Sequence, residues 1–303
     1  MVITRRGRPL NPGYAARMVW APPFGPAKPS DGMSSSLAEG TAAPTILELS
    51  RVTKRFASGL EALAGIDLSV AHGEFVSLLG PSGCGKSTLL RIVAGLTPPS
   101  AGACELRLDG VSGRRAPAGR IGFVFQDPTL MPWSTVTGNV LLPFRIAGRV
   151  GAGVRAKQHE KVLAAVRAVG LAGFEDAYPH QLSGGMRMRV SIARALVTDP
   201  DLLLLDEPFA ALDEITRLAL NDDLLRLWER HRPTILFVTH SVFESVYLST
   251  RIAVMTARPG RIATDLTVEL PQPRDRATRM SPAYAAMCEE VSANLAQAMG
   301  TAP

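Results

Sequence analysis

The chain has 303 residues, 46% of them hydrophobic, and a formal net charge of +6 at pH 7. This length and apolar content can bury one substantial core or two smaller ones, so a globular fold is expected. No stretch of about 18 uncharged apolar residues occurs, so no segment is suited to crossing a bilayer. About half of the positive excess falls in residues 1–44, which indicates a solvated tail rather than a nucleic-acid-binding surface.

Residues 1–44 are rich in Pro, Gly, Ala and Arg and show no periodic apolar pattern. Such a composition predicts a disordered, basic N-terminal extension, because it offers too little apolar surface to offset the entropy of ordering the chain. Met33 is an alternative start of the protein, and the sequence does not distinguish it from Met1.

From Thr45 onward the pattern changes to short runs typical of strands. The runs Ile46–Leu49 and Leu63–Val70 predict a small antiparallel sheet. Apolar runs typical of buried strands follow, separated by helical segments, at 75–79, 121–125, 202–205, 234–238 and 252–255. Apolar strands that alternate with helices predict a mainly parallel sheet covered on both faces.

A mostly helical stretch interrupts these strands and predicts an inserted helical subdomain at about 131–187. The main domain is expected to cover 45–270, because the run Pro271–Arg274 breaks the pattern. The remaining segment, 271–303, is predicted to be a tail that contains one helix, at Tyr284–Met299.

A glycine-rich loop joins the strand at 75–79 to a helix. Its spacing, Gly80, four residues and then Gly85-Lys86-Ser87, lets backbone amides wrap a phosphate group. Lys86 can reach the β and γ phosphates of a nucleotide, and the Ser87 hydroxyl can ligate Mg²⁺. The residues predicted to bind the nucleotide in this loop are Gly80, Pro81, Ser82, Gly83, Cys84, Gly85, Lys86, Ser87 and Thr88.

Two acids, Asp206 and Glu207, follow the apolar strand at 202–205. Ligands bind beyond the carboxyl ends of parallel strands, so both acids are expected to face the nucleotide. We expect Asp206 to hold Mg²⁺, directly or through water, and Glu207 to polarise the attacking water.

His240 and Gln126 follow two other strands and are expected at the same edge of the sheet. His240 is predicted to contact the γ phosphate and the attacking water. Gln126 is predicted to sense both Mg²⁺ and water. The catalytic set is therefore Glu207, His240 and Gln126, and the metal set is Ser87, Gln126 and Asp206.

A second anion-binding helix start is predicted within Leu182–Met186. Ser183 is the expected N-cap, and Gly184 and Gly185 expose backbone amides. One nucleotide needs a single cradle in its own subunit. This motif therefore either caps a loop or serves a nucleotide bound to another subunit.

Together these motifs resemble those of ABC-transporter ATPase subunits over about residues 45–270. Six motifs occur in the family's order: Walker A at 80–88, the Q-loop at Gln126, the signature at 182–186, Walker B at 202–208, the D-loop at 211–213 and the switch histidine His240. The resemblance implies an α/β fold of the P-loop NTPase (RecA-like) type: a parallel sheet core with a small antiparallel β subdomain and an inserted helical subdomain.

The resemblance also implies ATP and Mg²⁺ as ligands and a head-to-tail homodimer. In such a dimer each ATP lies between Walker A of one subunit and the signature residues Ser183, Gly184 and Gly185 of the other. Phe56 resembles the aromatic residue that stacks on adenine, and a core aromatic is the alternative interpretation.

The Pro-bounded segment Gln126–Trp133 carries the apolar residues Leu130, Met131 and Trp133. These residues fit either a subdomain interface or a docking groove for a membrane partner. The Leu-Met-Pro-Trp form, together with 258–262, resembles the nitrate, sulfonate and taurine importer family.

That family resemblance implies a separate integral-membrane permease that docks near Gln126–Trp133, and a solute-binding protein that acts with it. It places the chain peripherally at the cytoplasmic face of the cell membrane. The solute is expected to be a small compound such as nitrate, a sulfonate or taurine. The ATPase of an ABC exporter and a soluble, non-transport ABC ATPase are the alternatives.

The chain has three widely spaced cysteines, Cys84, Cys104 and Cys288, which are expected to be free thiols. Cys84 lies at a helix N-terminus, where the thiol pKa can be lowered. A reactive Cys84 whose modification blocks ATP binding is one hypothesis. A small residue that only fits the loop is the alternative.

Overall fold

The computed structural model of the chain describes residues 43–108, 111–113, 120–147 and 152–300. The extension predicted to be disordered therefore lies outside the described residues, apart from its last two. Among the described helices, none is long and apolar enough to span a bilayer.

A six-stranded sheet forms the centre of the fold. In spatial order its strands are β10 (Ile262–Thr267), β9 (Arg251–Met255), β3 (Phe75–Leu79), β8 (Thr234–Thr239), β7 (Leu202–Asp206) and β6 (Ile121–Val124). The five strands from β9 to β6 are parallel, and β10 pairs antiparallel to β9. Every residue of β3, β7 and β8 is buried, which explains why these segments are predominantly apolar.

A second sheet of four antiparallel strands packs beside the first. Its order is β2 (Glu61–Ala71), β1 (Thr45–Arg55), β4 (Ala101–Leu108) and β5 (Val111–Gly113). The prediction of a small antiparallel sheet is confirmed, although the apolar pattern indicated only β1 and β2. Strand β4 escaped prediction because six of its eight residues are at least partly exposed.

Helices occupy the connections between strands. They are α1 (Lys86–Val93), α2 (Val136–Val140), α3 (Leu142–Ile146), α4 (Ala152–Ala168), α5 (Gly184–Leu196), α6 (Glu214–His231), α7 (Val242–Leu248), α8 (Arg276–Arg279) and α9 (Pro282–Ala298). Helices α2 to α4 lie in the region predicted to be mostly helical, and α5 begins at its end. Helix α5 begins at Gly184, because Ser183 caps it.

Two apolar cores lie on opposite faces of the central sheet. Successive strand residues point to opposite faces, so Leu203 and Phe237 belong to one core while Leu202 and Leu236 belong to the other. The first core contains residues of helices α4 to α7 and α9, and the second contains residues of α1 and of the antiparallel sheet. The sheet is therefore fixed from both sides, and its strands cannot shift without exposing apolar side chains.

The C-terminal segment is tied to the end of α7 by a buried arginine. Arg274 is 5% exposed, and its Nη1 donates to the carbonyl oxygens of Val246, Tyr247 and Ser249 at 3.1, 3.0 and 2.8 Å. These carbonyls belong to the last turn of α7, where a cation is electrostatically favoured. Burial lowers the pKa of Arg274 to about 10, which leaves it charged at neutral pH.

Replacement of Arg274 by Ala is expected to lower the free energy of unfolding by about 2–4 kcal/mol, because it leaves buried carbonyls without their charged donor. Urea denaturation followed by circular dichroism measures this loss. Arg276→Ala is the matched control, since this neighbouring arginine is exposed, and a change within about 0.5 kcal/mol is expected there. Equal stability of the two variants would contradict the structural role given to Arg274.

Candidate active site

The polar residues of the site lie at one edge of the central sheet. The loop 80–88 follows β3, Gln126 follows β6, Asp206 and Glu207 stand at the end of β7, and His240 follows β8. Parallel strands present their carboxyl ends at the same edge, and in α/β folds ligands bind there. The structure thus brings together segments that lie far apart in the sequence.

The side chain of Lys86 is enclosed by the loop that precedes it. It is 3% exposed, and its Nζ donates to the carbonyl oxygens of Gly80 at 2.7 Å and Pro81 at 2.9 Å. The same Nζ lies 3.7 Å from Glu207 Oε1. Gly85, at φ 111°, turns the backbone into α1 in a conformation that L-residues with a side chain rarely adopt. The loop therefore wraps a buried cation next to a helix N-terminus.

A hydrogen bond joins Ser87 on α1 to Asp206 on β7. Ser87 Oγ donates to Asp206 Oδ1 at 2.7 Å, and Asp206 is 7% exposed. Burial raises the pKa of Asp206, and the hydrogen bond from Ser87 opposes this shift. A hydroxyl and a carboxylate are the oxygen donors that Mg²⁺ prefers, so the pair has the chemistry and the proximity of a magnesium site.

Glu207 and His240 form the next pair along the edge. Glu207 has φ 45°, which is unusual for a residue with a side chain, and its backbone N–H donates to Val238 O at 3.0 Å. Its Oε2 lies 3.1 Å from His240 Nδ1. The strained backbone directs this carboxylate toward both Lys86 and His240, so an acid, a cation and an imidazole meet at one point.

A buried acid that was not predicted lies behind His240. Glu244 is 8% exposed, and it accepts a hydrogen bond of 2.6 Å from Thr239 Oγ1. Burial raises its pKa, and the bond from Thr239 opposes the shift. Ser241 caps α7 by accepting from the Glu244 N–H. The sequence pattern Ser241-x-x-Glu244 is a capping signal that indicates this helix start.

The signature segment forms the start of α5 as predicted. Ser183 is the N-cap and accepts from the Met186 N–H at 3.2 Å. Gly185 lies against α6, where a Cβ would stand 2.6 Å from Thr216 Cγ2. Asp213, in the D-loop, caps α6 by accepting from the Thr216 N–H at 3.0 Å. The signature and the D-loop are therefore packed together at Thr216.

The segment 126–133 is held at two points. Arg194 on α5 donates to the carbonyl oxygens of Pro128 at 2.7 Å and Thr129 at 2.9 Å, and burial lowers its pKa. Asn139, completely buried, accepts from the Met131 N–H at 2.8 Å and donates back to Met131 O. The loop therefore has a defined shape.

The apolar residues of this segment divide between the two predicted roles. Leu130 packs against the core, whereas Trp133 is 77% exposed. Gln126 is exposed as well, and among the described residues no hydrogen bond joins it to Ser87 or Asp206. The structure thus does not bring Gln126 into the contact network of the other predicted site residues.

Phe56 lies directly after β1 and is 40% exposed, so it is not a core aromatic. The ammonium group of Lys54 lies 5.5 Å from the centre of its ring. The alternative interpretation of Phe56 is therefore wrong, and its predicted role in stacking on adenine stays a prediction.

The hypothesis of an activated Cys84 is wrong. Cys84 is 1% exposed and packs in the second core, and burial raises its thiol pKa although Lys86 opposes the shift. The helix N-terminus suggested a lowered pKa, but removal of the thiolate from water outweighs that effect.

The fold and the site define an ABC-type ATPase, and comparison with known proteins agrees. A family profile described as ABC transporter matches residues 63–210. The aliphatic sulfonates import ATP-binding protein SsuB 1 of Pseudomonas savastanoi is 50% identical over 226 residues, which cover 75% of this chain and 87% of the relative. An uncharacterized ABC transporter ATP-binding protein of Methanocaldococcus jannaschii is 48% identical over 236 residues, which cover 76% of this chain and 85% of the relative. The chain therefore belongs to the family of ABC transporter ATP-binding subunits.

Further relatives and solved structures extend this result. The aliphatic sulfonates import ATP-binding protein SsuB of Bacillus subtilis is 45% identical over 216 residues, which cover 71% of this chain and 81% of the relative. A dimeric structure of a post-hydrolysis state of the ATP-binding cassette MJ0796 bound to ADP and Pi is 32% identical, with a TM-score of 0.64. It covers 75% of this chain and 100% of that one.

Slow reaction with maleimide is expected for all three cysteines in the folded protein. Burial raises the thiol pKa of Cys84, of Cys288 and of Cys104, the last to about 11, so little reactive thiolate exists near neutral pH. Labelling followed by mass spectrometry should be at least about 10-fold slower in the native than in the urea-unfolded chain. Rapid native labelling of Cys84 that ATP prevents would contradict this result.

Proposed function

We propose that the chain is the ATP-hydrolysing subunit of an ABC importer for an aliphatic sulfonate or a similar small anion. The observation that carries the proposal is the cluster of Lys86, Ser87, Asp206, Glu207 and His240 at one sheet edge. The choice of solute class rests on the relatives named as aliphatic sulfonates import proteins, at 45–50% identity.

The phosphate-binding half of the site is assigned to the loop and α1. Lys86 would exchange its two carbonyl acceptors for oxygens of the β and γ phosphates. Ser87 and Asp206 would hold Mg²⁺, which neutralises part of the phosphate charge when bound. Phe56, as an exposed ring, would stack on the adenine.

The hydrolytic step is assigned to Glu207 and His240. The Glu207 carboxylate would orient a water molecule and accept its proton as the water attacks the γ phosphate. His240, 3.1 Å from that carboxylate, would hold it in place and contact the γ phosphate. Gln126 would enter the site only after a rearrangement of its loop, because it stands apart from the network.

A second copy of the chain would complete each site. The start of α5 at Ser183, Gly184 and Gly185 would be a second anion-binding helix N-terminus. One nucleotide needs only one such site in its own subunit, so this second site would serve the nucleotide of the other subunit. The related MJ0796 cassette is dimeric in its structure with ADP and Pi, which supports the same assembly for this chain.

The exposed Trp133 and its loop would dock on the permease. A large aromatic side chain that is 77% exposed on a fixed loop is typical of an anchor residue in an interface. The chain would then lie peripherally at the cytoplasmic face of the membrane, with the permease as its anchor and a solute-binding protein on the opposite side.

Reconstitution tests the whole assignment. Proteoliposomes that contain the chain, its partner permease and the matching solute-binding protein should accumulate an aliphatic sulfonate when ATP is present on the side of the chain. Competition with unlabelled taurine and nitrate identifies the solute class. Uptake of none of the three, with ATP hydrolysis intact, would overturn the importer assignment.

Glu207→Gln is expected to lower ATP hydrolysis by about 10²- to 10⁴-fold, because the amide cannot accept the proton of water. ATP should still bind and drive dimer formation, measured by size-exclusion chromatography with light scattering. Glu289→Gln, on the exposed face of α9, is the control with the same change of charge and should hydrolyse ATP normally. Normal hydrolysis by Glu207→Gln would show that Glu207 is not the base.

Trp133→Ala is expected to reduce co-purification with the permease. The affinity for ATP should stay unchanged, since Trp133 is not among the residues proposed to bind ATP. A loss of about 2 kcal/mol or more of binding free energy is typical of such an anchor. Met280→Ala, which removes another exposed apolar side chain, is the control. Equal permease binding by both variants would exclude Trp133 as an anchor.

A further inference from the structure

The turn 256–261, which follows β9, lies against the phosphate loop. Strand β9 is parallel to β3, so its carboxyl end reaches the same edge of the sheet. The turn is closed by Thr256, whose Oγ1 donates to Pro259 O and accepts from the Arg261 N–H, each at 3.1 Å. Its shape is therefore fixed by its own hydrogen bonds.

Arg258 makes the direct contact. Its Nε and Nη2 both donate to the carbonyl oxygen of Gly83, at 3.0 and 2.7 Å. In a planar trans peptide the C=O and N–H point in opposite directions. Because Arg258 holds the Gly83 carbonyl, the Cys84 N–H points away from Arg258 and toward Pro81 O, 3.4 Å away across the loop.

The backbone of the same turn supports the loop beyond Gly83. Gly260 N–H donates to Ala62 O, and Gly260 O accepts from the Ala64 N–H, both at 3.0 Å. A side chain at Gly260 would collide with the carbonyl oxygen of Cys84, so only glycine permits this approach. The turn, β2 and the phosphate loop thus form one packed unit.

We propose that Arg258 is a positioning residue that presets the phosphate loop for ATP. Its guanidinium fixes the 83–84 peptide so that the Cys84 N–H is directed into the loop, where a phosphate oxygen would replace Pro81 O as its acceptor. The loop then binds without first ordering this peptide, and less binding energy is lost to conformational entropy. This inference rests on ATP binding by the loop and is independent of the transported solute.

Arg258→Gln tests the proposal. The dissociation constant for ATP, measured by isothermal titration calorimetry, and the KM for ATP are expected to rise about 10- to 100-fold, the range expected for loss of a charge-assisted hydrogen bond. The kcat at saturating ATP should stay within about twofold of the parent, because Arg258 does not contact the groups of the hydrolytic step. Arg258→Lys should give an intermediate affinity, since it keeps the charge but not the paired donors.

Arg261→Gln is the matched control, because it removes the same charge from an exposed side chain of the same turn. It should bind ATP like the parent. Equal ATP affinity of Arg258→Gln and Arg261→Gln would overturn the proposal. A fall in kcat with unchanged KM would also overturn it, since that pattern belongs to a group acting in the chemical step.

Chemical rescue separates positioning from folding. Methylguanidinium at millimolar concentration should restore part of the ATP affinity of Arg258→Ala, whereas it should not restore ATP binding by Lys86→Ala. No recovery by Arg258→Ala would overturn the proposal, even if that variant is less stable. If ATP affinities follow these expectations but reconstituted vesicles take up no solute, the importer assignment fails and the role of Arg258 stands.

Discussion

The parallel pairing of β3, β8 and β7 is the constraint on which the site depends. Leu79 is paired with Thr239, and Asp206 with Val238, so the three strands end at nearly the same level. Neighbouring strands lie about 4.8 Å apart, which places the groups that follow them within contact distance. A slip of one residue would move the groups by about 3.3 Å and transfer apolar side chains to the opposite core. Hydrophobic packing on both faces therefore sets the geometry of a polar site.

Much of this arrangement could be predicted because buried parallel strands are predominantly apolar. That pattern revealed β3, β7 and β8, and their ends located Asp206, Glu207 and His240. Strands β4 and β10 were not predicted, because half-exposed residues leave no clear pattern. The positive φ of Glu207 and the burial of Cys84 depend on neighbours distant in the sequence, and local rules about helix starts cannot include them.

The phosphate loop shows how a glycine-rich segment acquires a single shape. Glycine makes the loop able to adopt left-handed conformations, but it also increases the entropy lost on ordering. Lys86 binds the carbonyls at one end of the loop, and Arg258 binds the Gly83 carbonyl in its middle. Both cations donate hydrogen bonds to backbone carbonyl oxygens of the loop. The single conformation of the loop therefore depends on these two side chains and not on its glycines alone. Arg258 follows a strand that the sequence did reveal, yet its partner becomes evident only in three dimensions.

Arg194 connects the helix that begins with the signature residues to the loop that carries Trp133. It lies on α5, whose first turn carries the signature residues, and it holds the backbone of Pro128 and Thr129 by charge-assisted hydrogen bonds. Any rotation of α5 must either break these bonds or carry the loop with it. Asn139 bonds to Met131 and Ser134, on either side of Trp133, and so fixes the turn between them. Trp133 would therefore move together with the helix. A displacement of the first turn of α5 would then be transmitted to Trp133, because both ends of the connecting loop are held by hydrogen bonds.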